Sequence, residues 1–202
     1  MLHVSERKLL YRFLAQVFAY PDPQLIDALA RGDAEEAARL TGTESPPVLL
    51  EDDILLDLET GFTNQFINRL GGVPAPPYGS LYLERDGILM GQSSLKVLEA
   101  YRAEDLSLEG GGEPPDYLAT ELEFLYYLVS QEEEALGRRD VEGARDKTVK
   151  QRVFVGELLL PWVIPFCIRM EKDPAGHPFY HWGARLLQRF CTMEKDWLDR
   201  LP

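Results

Sequence analysis

Apolar residues recur at three- and four-residue spacing in segment after segment of this chain, and proline and glycine fall mostly between those segments. That pattern commits most of the chain to amphipathic helices. Leu9, Leu10, Phe13, Leu14, Val17 and Phe18 form the first stripe, with Ser5 as its expected N-cap and Pro21 as its stop. Pro23 suits the first turn of a short second helix carrying Leu25, Ile26 and Leu29, and Asp33 is placed to cap a third over 34–40. Segment 48–70 sets Leu55, Leu58, Phe62, Phe66 and Ile67 on one side and opens on Glu51, Asp52 and Asp53, so a long helix with an acidic start is expected. Residues 92–103 return to helix around Leu95, Leu98 and Tyr101.

The second half reads the same way. Pro114-Pro115-Asp116 opens a helix whose core stripe is Leu118, Leu122, Leu125 and Val129, widened by Phe124, Tyr127 and Leu128 until only Thr120, Glu121 and Glu123 face solvent. Gln131 to Glu134 is its solvated end. A further helix over 141–160 meets Pro161 and Pro165, which predict a break or kink, with Pro161 starting a fresh turn more cheaply than it would sit mid-helix, and Asp173-Pro174-Ala175-Gly176 is a turn. The last helix, 179–198, turns Tyr180, Ala184, Leu187, Phe190 and Cys191 inward. With no internal repeat or low-complexity segment, the fold class is all-α: one helical-bundle domain over residues 1–202.

Three interruptions carry the irregular backbone. Gly71-Gly72-Val73-Pro74-Ala75-Pro76-Pro77 lacks three amide donors and reads as a rigid extended loop. Tyr82 to Leu89 suits a small hairpin about Asp86-Gly87. The glycine-rich connection at 106–113 offers a mobile hinge between N- and C-terminal helical parts, at which a monomer and a domain-swapped dimer are both feasible.

Composition narrows the function. A chain of 202 residues with 45% hydrophobic content builds a real core, and its formal net charge of −13 repels nucleic-acid backbones and anionic lipid while attracting cationic peptides. Two cysteines, Cys167 and Cys191, make no disulfide framework. No apolar signal core opens the chain, and the most membrane-like stretch, 153–168, is interrupted by Gly156, Glu157 and two prolines, so a cytoplasmic protein with no integral membrane segment is expected. No GxSxG elbow or Walker loop is present. His177 and His181 with Cys191 lack an evident fourth ligand, so no metal site is expected, and the abundant carboxylate pairs, Glu121 and Glu123 among them, read as a solvated face. Tyr78 and Tyr82 on a loop held open by proline either present an aromatic surface to an extended peptide or pack beneath the loop, and Glu113 and Asp116 beside them add negative potential suited to arginine.

Pro76-Pro77-Tyr78-Gly79-Ser80-Leu81-Tyr82, then Leu89 to Leu95, then Glu113-Pro114-Pro115-Asp116-Tyr117, then Leu158-Leu159-Leu160-Pro161-Trp162 and His177-Pro178-Phe179-Tyr180, stand in the order and spacing of a known family. Over about 9–197 the chain resembles the cytoplasmic chaperones that mature molybdopterin oxidoreductases, most closely the dimethyl sulfoxide reductase type. The resemblance implies an all-α fold, no catalysis, no cofactor, and binding of a catalytic subunit through its twin-arginine signal peptide or N-terminal tail. Tyr78, Ser80, Tyr82, Glu113, Pro114, Asp116, Tyr117 and Trp162 are the residues it implicates. Tyr117 and Leu158 stand where the family pattern has histidines, so neither position titrates near neutrality here. The alternative is weak GTP binding or a nucleotide-dependent activity through Glu113 and Asp116.

Overall fold

A computed structural model describes residues 2–49, 53–85, 87–108 and 112–201. Helix α1 (Val4–Phe18) starts two residues earlier than a cap at Ser5 implies. His3 is the cap, accepting from the Ser5 amide while Glu6 reaches back to the His3 amide at 2.6 Å. Helix α2 (Pro23–Ala30) is capped by Asp22, and α3 (Asp33–Thr41) begins at Asp33 itself after a left-handed Gly32, leaving the Asp33 carboxylate to hold Arg31 at 2.9 Å. Helix α4 (Ile54–Phe62) begins later than expected, with Val48 and Leu49 outside it, Glu51 and Asp52 lying outside the described residues, and Asp53 capping Leu56.

A π turn, Thr63–Ile67, extends α4. The wider turn rotates the face beyond it, so Ile67, expected inside, is exposed while Phe62 and Phe66 are buried. The proline-rich loop leads to a single turn, α5 (Ser80–Leu83), where strand was expected. Asp86 of the anticipated hairpin turn lies outside the described residues, and no strand flanks it among those described. Helix α6 (Gln92–Arg102) matches its expected span; residues 109–111 of the anticipated hinge lie outside the described residues.

Helix α7 (Leu118–Gly137) is the centre of the molecule, packed along α1 on one side and α8 (Val141–Val153) on the other. No break follows α8. A π turn at Phe154–Leu159 carries the chain into α9 (Leu160–Glu171), and the shifted register receives Pro161 in the first turn of α9, where its missing amide and its ring are tolerated. The resulting helix Val141–Glu171 has an 18-residue window of mean hydropathy 1.7, long and apolar enough to cross a membrane by composition. Its Phe154, Val155, Trp162, Val163, Phe166 and Cys167 are nevertheless buried against the rest of the chain, which makes it a core helix. Helix α10 (Pro178–Leu198) closes the bundle with Tyr180, Leu187, Phe190 and Cys191 inside, as its periodicity predicts.

Aromatic contacts run through the core, two sets of them close to the site. Phe18, Phe66, Phe166 and Tyr180 meet edge to face or stacked at 5.4–6.3 Å, and Tyr101, Phe124 and Phe154 at 4.8–6.2 Å. Between α1, α7, α8 and α10 lies a buried ion group. The Arg7 guanidinium donates to Glu194 at 2.6 and 2.8 Å, to Glu132 at 2.9 Å and to Gln151, while its face lies 4.0 Å from the Trp197 ring. Gln151 donates to Glu132 at 2.9 Å and Tyr11 to Glu194 at 3.2 Å, so the buried side-chain polar atoms of Arg7, Tyr11, Glu132, Gln151 and Glu194 are partnered, while the indole nitrogen of Trp197 beside them is buried without an acceptor among the described residues. Glu132, expected in the solvated end of α7, is thus a core residue.

Candidate functional site

The proline-rich loop and the turn before α7 are laced together by backbone bonds. Pro77 accepts from the Leu118 amide and the Gly79 amide donates to Asp116, both at 2.9 Å, around an isolated antiparallel bridge between Tyr78 and Tyr117. This pairing keeps Tyr117 extended, which is why α7 begins at Leu118 and not at Pro114. Pro114 to Asp116 instead form a turn, pinned by the Tyr101 hydroxyl donating to the Pro115 carbonyl at 2.8 Å.

Seven of the eight implicated side chains, all but that of Pro114, meet another part of the chain. Tyr78 donates to Glu113 at 2.9 Å and its ring lies 5.5 Å from that of Tyr117. The Tyr117 hydroxyl donates to the Phe18 carbonyl at 2.7 Å, so its polar end ties α1 to the site and is not free for a ligand. Asp116 accepts from the Ser80 amide at 2.5 Å and so caps α5 rather than its own helix; Ser80 in turn accepts from Met90 at 3.3 Å. Tyr82 lies between the Trp162 ring, 5.8 Å away, and the Arg169 guanidinium, 4.4 Å away. Gly79 is needed for close approach: a Cβ there would sit 3.0 Å from the indole nitrogen of the fully buried Trp162. Burial pushes the phenols of Tyr78, Tyr82 and Tyr117 above their usual range, so all three stay neutral donors.

Trp162 leads to the residue that the sequence reading misplaced. Its indole donates at 3.3 Å to Glu121, which is 0% exposed although its neighbours in sequence suggested a solvated face. Burial first, and the charge of Asp116 second, push the Glu121 carboxyl well above the usual carboxylate range. A signal was present: Leu118, Glu121, Leu125 and Leu128 share helical spacing, so Glu121 sits within the stripe it interrupts.

Asp116, Glu121 and Trp162 form the inner wall of a cavity of about 320 Å³ whose mouth carries Leu83, Glu84, Gln92, Ser93, Lys96, Glu157 and Leu158. Glu84 caps the first turn of α6 by accepting from the Ser93 amide and hydroxyl, both at 2.8 Å, and Glu157 and Leu158 are delivered by the π turn. Beside the mouth, Leu83, Ile88, Leu89, Met90 and Leu95 are exposed. The eight implicated residues therefore share one neighbourhood, but only Asp116 and Trp162 of them line the cavity. The histidine pair lies elsewhere, with His177 capping α10 and facing Asp57 at 3.1 Å.

The chain has the fold of a redox-enzyme maturation protein: a crystal structure so described, from Archaeoglobus fulgidus, superposes with a TM-score of 0.52 at 24% identity, covering 99% of this chain and 96% of that one. The sequence narrows this class further. Residues 26–168 match the family described as nitrate reductase delta subunit, and the chain belongs to that family. A selenate reductase assembly chaperone protein of Thauera selenatis is 33% identical over 170 residues, 84% of this chain and 79% of that protein. The chaperone protein TorD of Vibrio vulnificus is 32% identical over 148 residues, 72% of this chain and 66% of the relative's length. The same-named protein of a Psychrobacter species is 28% identical over 212 residues, covering 96% of this chain.

Proposed function

We propose that this chain is a maturation chaperone that binds the N-terminal twin-arginine signal peptide, or tail, of a molybdopterin oxidoreductase catalytic subunit and holds it until cofactor insertion and folding are complete. One observation carries the reading: a cavity walled by two buried carboxyl groups opens beside an exposed apolar rim, Leu83 and Ile88 to Met90. A segment in which arginines precede an apolar run is the complement of that arrangement. The net charge of −13 favours encounter with such a cationic segment, and the chaperone names of the relatives agree. A client that still carries its export signal is met in the cytoplasm, and the role needs no turnover. The cavity carboxyls repel the phosphates of GTP, so the proposal places no nucleotide there.

The test is photo-crosslinking with a synthetic peptide bearing two consecutive arginines followed by an apolar run. A photoreactive residue introduced at Leu83 or Met90 is expected to capture the peptide, and one at the still more exposed Val141 is not. Raised salt should weaken capture. Capture from Val141 alone, or from no position, would overturn the reading.

A further inference from the structure

Resting on that reading, we infer that the Asp116–Glu121 wall is a guanidinium subsite that takes one arginine side chain of the client peptide. Each carboxyl uses one oxygen internally: Asp116 Oδ2 takes the Ser80 amide and Glu121 Oε2 takes the Trp162 indole. The other oxygen of each, Asp116 Oδ1 and Glu121 Oε1, is buried and accepts no hydrogen bond from a described residue. Asp116 is 1% exposed and Glu121 is 0% exposed, and both line the cavity. Buried acceptors of this kind are ordinarily partnered, because an unmet one carries its full desolvation cost.

The missing partner is a cationic donor. Around the cavity stand four carboxyl groups, Glu84, Asp116, Glu121 and Glu157, against the single amine of Lys96, so a cation is favoured and an anion is not. Two acceptors on separate carboxyls suit a planar fork of N–H groups better than the compact point charge of an ammonium. The Trp162 ring in the same wall adds an aromatic surface, which a guanidinium meets more readily than an ammonium does. The exposed apolar rim at the mouth suits a peptide continuing outward and gives a free amino acid nothing to bind.

Proton release follows from binding. The charged or titratable groups that face Glu121 are Asp116 from the turn, Tyr101 of α6, Cys191 of α10 and, around the cavity, Glu84, Lys96 and Glu157. Burial among them lets Glu121 keep its proton to higher pH than a surface glutamate does. An arginine brought against it favours the ionised form, so the proton leaves as the peptide docks.

The experiment is isothermal titration of the full chain with two peptides, one carrying the consecutive arginines and one with both replaced by glutamine, each in two buffers of different ionisation enthalpy. The wild-type protein should bind the arginine peptide about tenfold or more tightly than the glutamine peptide and release up to about one proton per arginine peptide, with none released by the glutamine peptide. Glu121→Gln should bring the arginine peptide to the glutamine peptide's affinity and abolish the release. Equal affinity of the wild type for both peptides, or tight arginine-peptide binding without proton release, would overturn the subsite and leave the chaperone reading standing. Free arginine binding as tightly as the peptide would also overturn it, by making the occupant a small molecule. If neither peptide binds the wild type, both the subsite and the chaperone reading fall.

Discussion

Two of the buried charge groups among the described residues stand in contrast. Around Arg7, four helices converge on one guanidinium, and the charged and amide groups that meet there, Arg7, Glu132, Gln151 and Glu194, keep no buried polar atom without a partner. Around Glu121, two carboxyls share a cavity wall, and each keeps one oxygen without a protein donor. Both groups are equally dry, so burial alone does not separate structure from function. Satisfaction does: a completed network fixes how helices meet, whereas a half-completed one at a cavity is arranged for something that arrives later.

Removing one side chain from each group tests that division, and the largest effect belongs to the completed one. Arg7→Met leaves Glu132 and Glu194 buried without their cation and should cost about 3–5 kcal/mol in urea unfolding. A loss below about 1 kcal/mol would show that the network is not structural. Next, Gly79→Ala drives a Cβ against the immobile Trp162 indole and should cost about 1–3 kcal/mol while also weakening arginine-peptide binding. Asp116→Asn weakens the cap on Ser80 and should cost about 1 kcal/mol. The smallest stability effect is expected at the residue on which arginine recognition depends most. Glu121→Gln keeps the shape and the acceptor for Trp162, so unfolding stability should stay within about 0.5 kcal/mol near pH 5.

A pH series sharpens the same contrast. Because the Glu121 pKa is raised on folding, the native state binds more protons than the unfolded state once pH exceeds the ordinary carboxylate value near 4.5. Its contribution to stability is therefore complete below that pH and declines as pH rises toward the folded value. Glu121→Gln should remove this decline. Asp173, whose carboxylate is held low first by Arg69, works in the opposite direction, its contribution being lost as pH falls through the acid range. A wild-type profile that matches that of Glu121→Gln above pH 5 would remove Glu121 from the account.

Most of the helices were legible from spacing alone because their apolar faces are continuous. The misplacements cluster where tertiary contacts overrule a local signal. Pro114 to Asp116 carry good helix-start chemistry, yet pairing of Tyr78 with Tyr117 holds the backbone extended until Leu118. The π turns at Thr63–Ile67 and Phe154–Leu159 shift register without any mark in the apolar period, and the second lets the helix continue where the prolines predicted a break or kink, although Pro161 does open a fresh first turn as its chemistry implies. Glu121, Glu132 and Arg7 were visible as charges inside apolar stripes, but a stripe does not say which charge finds a partner. The implicated residues did converge on one neighbourhood; the cavity wall that distinguishes Asp116 and Trp162 from the rest needed Glu121, which was read as solvated.

Thermal unfolding of the wild type and of Glu121→Gln, each with and without saturating arginine peptide, addresses the division most directly. The account predicts nearly equal midpoints for the two free proteins at pH 5, with a peptide-induced rise that is clear in the wild type and largely lost in the variant. A variant that is much less stable alone, or one that keeps the full peptide-induced rise, would contradict it.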